Sequence, residues 1–421
     1  MYSALKRFAA AGCAAVLLAG CSSAPSSQDP SSVPESQPAS SQSQEASAQP
    51  VSVDAPLAVN QLGEKMLAEL SSEGENAFFS PVSFYLALSM LQNGAAGTTG
   101  EELAALLGTQ PGEEGTAALN AANAQLQQDL ALDQEDGTLK IANSIWLRDS
   151  FADKVKEGFT AAAQEFYSAQ VAPLDMSAEN AVDTINQWVS QQTGGLITQA
   201  MDSLDPNLQV LLLNTVYWKA LWKTPFQADA TNEQAFQAPG GEKQVQMMHG
   251  TLDLPYYEDD SCRAVALPCQ DGKTSMIVVL PKEGSEGQIL LTSQFLEKLE
   301  QEMHTQKVEL SLPRMDLSQS FKANDLLTAL GAGTMFSADA DLTGISEEGD
   351  LAVSEVKHNA VLKVDEEGAE AAASTSVAVV TKAALPVEPV VMTVDHPFQL
   401  AVMDTETGTA LFEGAIVDPQ P

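Results

Sequence analysis

The stretch Glu366-Glu367-Gly368-Ala369-Glu370-Ala371-Ala372-Ala373-Ser374-Thr375-Ser376-Val377-Ala378-Val379-Val380-Thr381-Lys382-Ala383-Ala384-Leu385-Pro386 carries two conflicting signals. Its side chains are small, Gly368 stands near its start and no proline occurs before Pro386, a composition that suits a flexible loop. Its alternation suits a strand. Ala369, Ala371, Ala373, Thr375, Val377 and Val379 form one set able to pack on a core, while the other set contains Glu370, Ser374 and Ser376. A segment written this way can be an exposed loop in one state and a central strand in another.

Outward from that stretch, strands dominate the second half of the chain. Residues 276–280, 308–312, 349–356, 359–365, 399–403 and 409–417 read as strands from their alternating or continuous apolar runs. Helices dominate the first half, at 58–70, 82–91, 100–107, 154–167 and 181–192. Ser80 is placed as N-cap ahead of Pro81, and Gly194-Gly195 stops the last of these helices. Residues 139–146 alternate as a strand, and the apolar run 210–217 fits a strand buried on both faces. Helical and strand regions that segregate in this way give an α+β class.

The block Glu366-Glu367-Gly368-Ala369-Glu370-Ala371-Ala372-Ala373-Ser374 resembles the hinge that precedes the reactive loop of the serpin family. Other blocks match that family in the same order. Upstream are Asn76-Ala77-Phe78-Phe79-Ser80-Pro81-Val82-Ser83, then Asn186-Gln187-Trp188-Val189, then Asn214-Thr215-Val216-Tyr217-Trp218-Lys219 with Trp222. His358 to Glu366 resembles the approach to the hinge, and Leu411-Phe412-Glu413-Gly414 to Pro419 the terminal strand. The resemblance runs from Ala58 to Pro419. It implies a serpin fold with a large central β-sheet, smaller sheets, about eight or nine helices and an exposed reactive loop.

The resemblance further implies a suicide inhibitor, monomeric, that forms a covalent acyl complex with a serine protease, or with a cysteine protease as a second target class. The cut loop would then enter the main sheet. About ten new ladder bonds at roughly 1 kcal/mol each, with Val377 and Val379 adding roughly 1.5 to 3 kcal/mol apiece on burial, would drive that entry. This rivals the roughly 5 to 15 kcal/mol stability of a whole domain. Counting along the family's usual loop length from Glu366 puts the reactive bond at Lys382-Ala383, which suits a trypsin-like enzyme. A slipped register through Val379, Val380, Thr381 or Ala384 suits an elastase-like one. Ser80, Ser83, Asn214 and His358 correspond to the family's sheet-opening cluster, and Trp222 to the point of loop entry. Ala369 departs from the Thr or Ser more usual at its position.

At the N-terminus, Lys6 and Arg7 precede an apolar run too short to span a bilayer, and Leu18-Ala19-Gly20-Cys21 closes it as a lipobox-like end. Residues 1–20 are therefore expected to be a signal peptide. Cys21 is expected to carry lipid on an exported, bacterial, membrane-anchored protein, and 21–56 to be a Ser/Gln/Pro-rich tether. The serpin domain is expected over 57–421. The formal charge of -37 comes from 57 acidic and 20 basic residues. It becomes more negative once Lys6 and Arg7 leave, which disfavours nucleic acid and anionic membranes, so only the lipid is expected to hold the chain to a membrane. Residues 116–132, where some relatives carry a basic helix, contain no Lys or Arg, so no heparin binding is expected.

Cys262 and Cys269 flank an alternating strand and would lie roughly 20 Å apart if it is straight. A disulfide needs less than about 7 Å, so free thiols are expected unless Pro268 turns the chain. His249, His304, His358 and His396 fall in no metal-binding spacing, no phosphate-binding loop follows Gly94 to Gly100, and no nucleophile-elbow motif is present. No cofactor, metal or enzymatic activity is expected. A non-inhibitory member acting as a surface binding module or protease substrate stays open as the alternative. A solute-binding lipoprotein would need alternating βαβ units, which this chain lacks.

Overall fold

Apolar runs with two periodicities build the two kinds of layer. In this computed structural model the described residues are 51–71, 74–195, 197–347, 351–369 and 388–420, all within the compact unit Pro50–Pro421. The helices are α1 (Ala55–Leu70), α2 (Pro81–Gln92), α3 (Gly97–Leu106), α4 (Glu113–Leu130), α5 (Glu157–Tyr167), α6 (Ala181–Gln192), α7 (Ser293–Glu302) and α8 (Asn324–Ala329). The strands of the first half are β1 (Ala77–Phe79), β2 (Leu132–Asp133), β3 (Gly137–Arg148), β4 (Gln170–Leu174) and β5 (Val210–Leu221). Those of the middle are β6 (Asn232–Ala238), β7 (Gly241–Glu258), β8 (Cys262–Pro268), β9 (Thr274–Pro281), β10 (His304–Pro313) and β11 (Met315–Lys322). The last are β12 (Val353–Val364), β13 (Gly368–Ala369), β14 (Val390–Thr393), β15 (Phe398–Asp404) and β16 (Thr409–Ile416).

Two sheets result. One runs β1-β16-β15-β9-β8-β7-β10-β14, with β6 on β7. The other runs β11-β12-β13-β5-β3-β2, with β4 on β3. The second sheet is covered on both faces. α2, fully buried along its length, lies under it, and Phe84 packs against His358 with ring centroids 4.4 Å apart and planes tilted by 33°. On the opposite face Ile185, Trp188 and Val189 of α6 pack against Trp146, Leu211 and Leu213. Burial on both faces explains why β5 reads as a continuous apolar run rather than an alternating one.

Some boundaries differ from the sequence expectation. Strands expected separately at 349–356 and 359–365 are one strand, β12, because Lys357 and His358, the two residues between them, stay in the ladder with β5, and the His358 ring is buried and hydrogen-bonded to Asn214. α1 begins at Ala55, two residues inside the expected tether, where the Asp54 carboxylate accepts from the Leu57 amide at 3.2 Å. Cys262 and Cys269 are free and buried, Cys262 opening β8 and Cys269 following its last residue, Pro268. Burial pushes both thiols up, to about 11 and about 12. Residues 1–20 and Cys21 lie outside the described residues.

Candidate functional site

β5 and β12 run parallel, and the boundary between them is a seam. The ladder joins Glu355 to Leu211, Val356 to Leu212 and so on up to Ala360 with Val216. Above that level the strands part and β13 stands between them, Ala369 pairing with Ala220 on one side and with Val364 on the other. From Glu355 upward every facing pair is separated by 144 residues, as His358 is from Asn214, and Val364 and Ala220 keep that separation. A strand continuing downward from Ala369 therefore meets a seam already in register and needs only lateral parting.

The hinge is tied down by its own turn. Asp365 directly follows β12, and its Oδ1 accepts from the amides of Glu367 at 2.9 Å and Gly368 at 3.2 Å. This Asx turn reverses the chain, and the Asp365 amide donates to the Gly368 carbonyl at 2.9 Å. Gly368 passes so near β5 that a Cβ there would lie 2.1 Å from the Ala220 oxygen, which restricts the position to glycine. Trp222, buried, donates from its indole to the Asp365 carbonyl at 2.9 Å and from its amide to the Glu367 carbonyl at 2.8 Å.

Glu366 is buried beside this turn. Arg314 donates from Nε to both carboxylate oxygens, at 3.0 and 3.1 Å, and from Nη2 at 2.7 Å, while the Thr231 hydroxyl donates to Oε1. Burial opposes the carboxylate's charge, but the Arg314 and Thr231 hydrogen bonds outweigh it and hold Glu366 below the usual carboxylate range.

Lower in the seam, three residues occupy one lateral row, His358 on β12, Asn214 on β5 and Asn143 on β3. His358 is fully buried, and burial pulls its pKa down to about 3, so the ring is neutral and carries one N–H. Its Nε2 accepts from the Ser80 amide at 3.2 Å. The proton is therefore on Nδ1, which donates to Asn214 Oδ1 at 2.6 Å, and Asn214 Nδ2 donates to Asn143 Oδ1 at 3.0 Å. The relay has one direction across three strands.

Ser80, Ser83, Asn214 and His358 are thus brought together, with two refinements. Ser80 reaches His358 through its backbone, its hydroxyl being used to cap α2 by accepting from the Ser83 amide at 3.3 Å. The Ser83 hydroxyl is buried without a hydrogen-bond partner among the described residues. Asn143, Arg314, Thr231 and Asp365 were not singled out in the sequence. An inward-facing Asn in an alternating strand was the available signal for Asn143, whereas nothing local marks Arg314 as Glu366's partner. Glu366, Glu367, Gly368 and Ala369 of the hinge lie among the described residues. Glu370, Ala371, Ala372, Ala373 and Ser374, the bond Lys382-Ala383 and its alternatives Val379, Val380, Thr381 and Ala384 lie outside them.

The fold is α+β, with two sheets and a short strand, β13, lodged between the ends of β5 and β12. The chain belongs to the serpin family: the family profile "Serpin (serine protease inhibitor)" matches residues 57–419. It is 33% identical over 373 residues to an uncharacterized serpin-like protein of Thermococcus kodakarensis, covering 86% of this chain and 85% of that one. It is also 33% identical over 365 residues to the leukocyte elastase inhibitor of Bos taurus, covering 82% and 93%. Among solved structures, thyroxine-binding globulin in complex with thyroxine superposes with a TM-score of 0.78 at 25% identity, covering 88% of this chain and 100% of that one. The family is described as one of serine protease inhibitors, and some of its members are non-inhibitory.

Proposed function

We propose that this serpin inhibits serine proteases irreversibly, by offering Lys382-Ala383 as a bond to cut and then inserting the cut strand between β5 and β12. The observation that supports this most is the common spacing of the seam and the hinge, since Ala369 already stands in line with the gap the strand must fill. The protease serine attacks the Lys382 carbonyl, the bond to Ala383 breaks with its amine leaving, and an ester joins the two proteins. Insertion must then outrun hydrolysis of that ester by water. Extending the register from β13 brings Thr375 level with Asn214 and His358. Entry therefore parts the His358–Asn214 bond and offers a hydroxyl in its place.

Lys382 favours a trypsin-like target, and likeness to a leukocyte elastase inhibitor keeps the slipped, elastase-like register in play. Mixing the chain with trypsin and with elastase and running denaturing gels tests the reading. An SDS-resistant complex is expected, and clean cleavage without complex by every serine protease tried overturns it. The N-terminal sequence supports export and attachment through lipid on Cys21. Incorporation of labelled palmitate that disappears in Cys21→Ser tests that part.

The alternative, a binding module, is favoured by one feature. A cavity of about 740 Å³ is lined by Leu57, Asn60, Ile277, Leu296, Leu299 and Met403, among others. Together with the likeness to a thyroxine-binding globulin, it suits a non-inhibitory carrier.

A further inference from the structure

Three contacts seat α1 on the rest of the domain. Asn60 donates from Nδ2 to the Gly408 carbonyl at 2.8 Å and accepts at Oδ1 from the Ala410 amide at 2.9 Å, which ties the helix to the turn between β15 and β16. Glu64 reaches α7, its Oε2 accepting from both the amide and the hydroxyl of Ser293 at 3.0 Å. Gly63, one helical turn from Asn60 and on the same buried face, lies against Glu413 of β16, so close that a Cβ there would stand 2.6 Å from Oε1.

The third contact is conditional on a proton. Glu413 is fully buried, and neither of its carboxyl oxygens has a hydrogen-bond partner among the described residues. The elements packed around it supply no cation. α2 and β1 carry no charged side chain, and Tyr85, the one titratable group of α2, donates to the Leu107 carbonyl at 3.2 Å. β15 carries only Asp404, opposite Thr409 at the far end of its ladder with β16. On α1, Lys65 is exposed, while Glu64 brings a like charge that acts with burial to favour the protonated form of Glu413. A neutral carboxyl is tolerated beneath Gly63. An ionised one is an unpaired charge in a closed seat beside a second carboxylate, a costly arrangement unless water reaches it.

We propose that α1 is a pH-gated latch, which stays on β16 while Glu413 is protonated and lifts from β16 and α7 as one unit when that carboxyl ionises. Lifting admits water to both oxygens and separates the Glu413 and Glu64 charges. It also parts Leu57 and Asn60 from Leu296 and Leu299 of α7, with which they line the cavity of about 740 Å³, so the same event opens that cavity on its α1 side. The seated helix holds a proton that the lifted one releases, so opening is favoured as pH rises above the ordinary glutamate range. The latch stands on α1, β16 and α7 alone and does not depend on the reactive loop.

Hydrogen exchange of the full chain from pH 6 to pH 9, corrected for the intrinsic rise in exchange rate, tests the latch. Amides of α1 are expected to exchange ahead of those of β15 and to lose protection by about tenfold per pH unit, the slope for one proton released on opening. Glu413→Gln, or Glu413→Met should the amide not be tolerated, is expected to flatten that slope. Protection of α1 that does not change with pH, or that keeps its slope in both variants, overturns the latch. Equal protection of α1 and β15 at every pH also overturns it, since the helix would then leave only with the whole fold.

Discussion

Arg314 and Glu366 form a two-pronged ion pair at the point where β12 turns into the hinge, the arginine half exposed and the carboxylate almost wholly enclosed. Removing the guanidinium leaves Glu366 buried with only Thr231 to hold it. Because the arginine side chain keeps 40% of its exposure, water offsets part of the loss. Arg314→Ala is expected to destabilise the intact chain by about 1 to 2 kcal/mol in urea unfolding. The same carboxylate gives a pH signature. Glu366 is held below its unfolded value, so its contribution is present above the ordinary glutamate range and is lost as pH falls through its lowered value. Arg314→Ala should therefore matter less in acid than at neutral pH.

His358 makes the intact chain acid-sensitive in a higher window. Folded, it titrates near 3, and unfolded near the ordinary 6.5, so between those values the unfolded chain binds the extra proton and stability falls as pH drops. The full effect for a group buried this deeply is on the order of 5 kcal/mol. A protonated ring could no longer accept from the Ser80 amide, so the row across β12, β5 and β3 would lose its first link. Melting temperatures recorded from pH 7 to pH 4 should fall steeply in the wild-type chain. The slope should flatten in His358→Gln, and an unchanged slope in that variant would place the acid sensitivity elsewhere.

How much of this was legible beforehand depends on distance along the chain. α6 was read with the bounds it has, Ala181–Gln192, because an amphipathic period and a double-glycine stop are local signals. Of the expected hinge, the structure describes Glu366 to Ala369, where Gly368 sits in a turn as its residue type suggested, and the small residues after it lie outside the described residues. β7, a strand of 18 residues, was not legible, since Gly250 and Pro255 interrupt its pattern and its first turns are exposed and polar. Glu366 and Arg314 are 52 positions apart, and only the meeting of β11's start with β12's end pairs them. The polar row at the seam was read as four residues of one kind. The direction of its hydrogen bonds, and Asn143 at its far end, follow from which nitrogen of His358 is protonated, which no sequence pattern encodes.

Glu413 on β16 gives the opposite pH dependence. Its carboxyl is wholly buried, neither oxygen has a hydrogen-bond partner among the described residues, and it faces Gly63 of α1, where a Cβ would lie 2.6 Å from Oε1. Burial, with the nearby Glu64 carboxylate adding to it, raises its pKa well above the ordinary value, so the folded chain holds a proton that the unfolded chain releases. Stability is then greatest below the ordinary glutamate pKa and declines as pH rises toward the raised one. Glu413→Met, apolar and flexible enough to fit beside Gly63, should stabilise the intact chain by about 1 to 3 kcal/mol at pH 8 and by less at pH 5. Unfolding curves at the two pH values check the difference, and equal gains at both would assign the effect to packing alone.

Gly368 separates stability from inhibition. A methyl group there collides with the Ala220 carbonyl, and backbone cannot yield as a side-chain tip would. Gly368→Ala should push residues 368 and 369 out of the seam, break the pairing of Ala369 with Ala220 and Val364, and expose the indole bond of Trp222 to competition from water. The proposed reactive bond Lys382-Ala383 keeps its sequence, so a protease that cuts there should do so at an undiminished rate. What slows is entry of the strand, because the first ladder bonds must now form after cutting rather than before it. Deacylation then wins more often, and the molar ratio of inhibitor to protease needed for full inhibition should rise several-fold. A ratio that stays at the wild-type value would mean that the seated hinge gives insertion no head start.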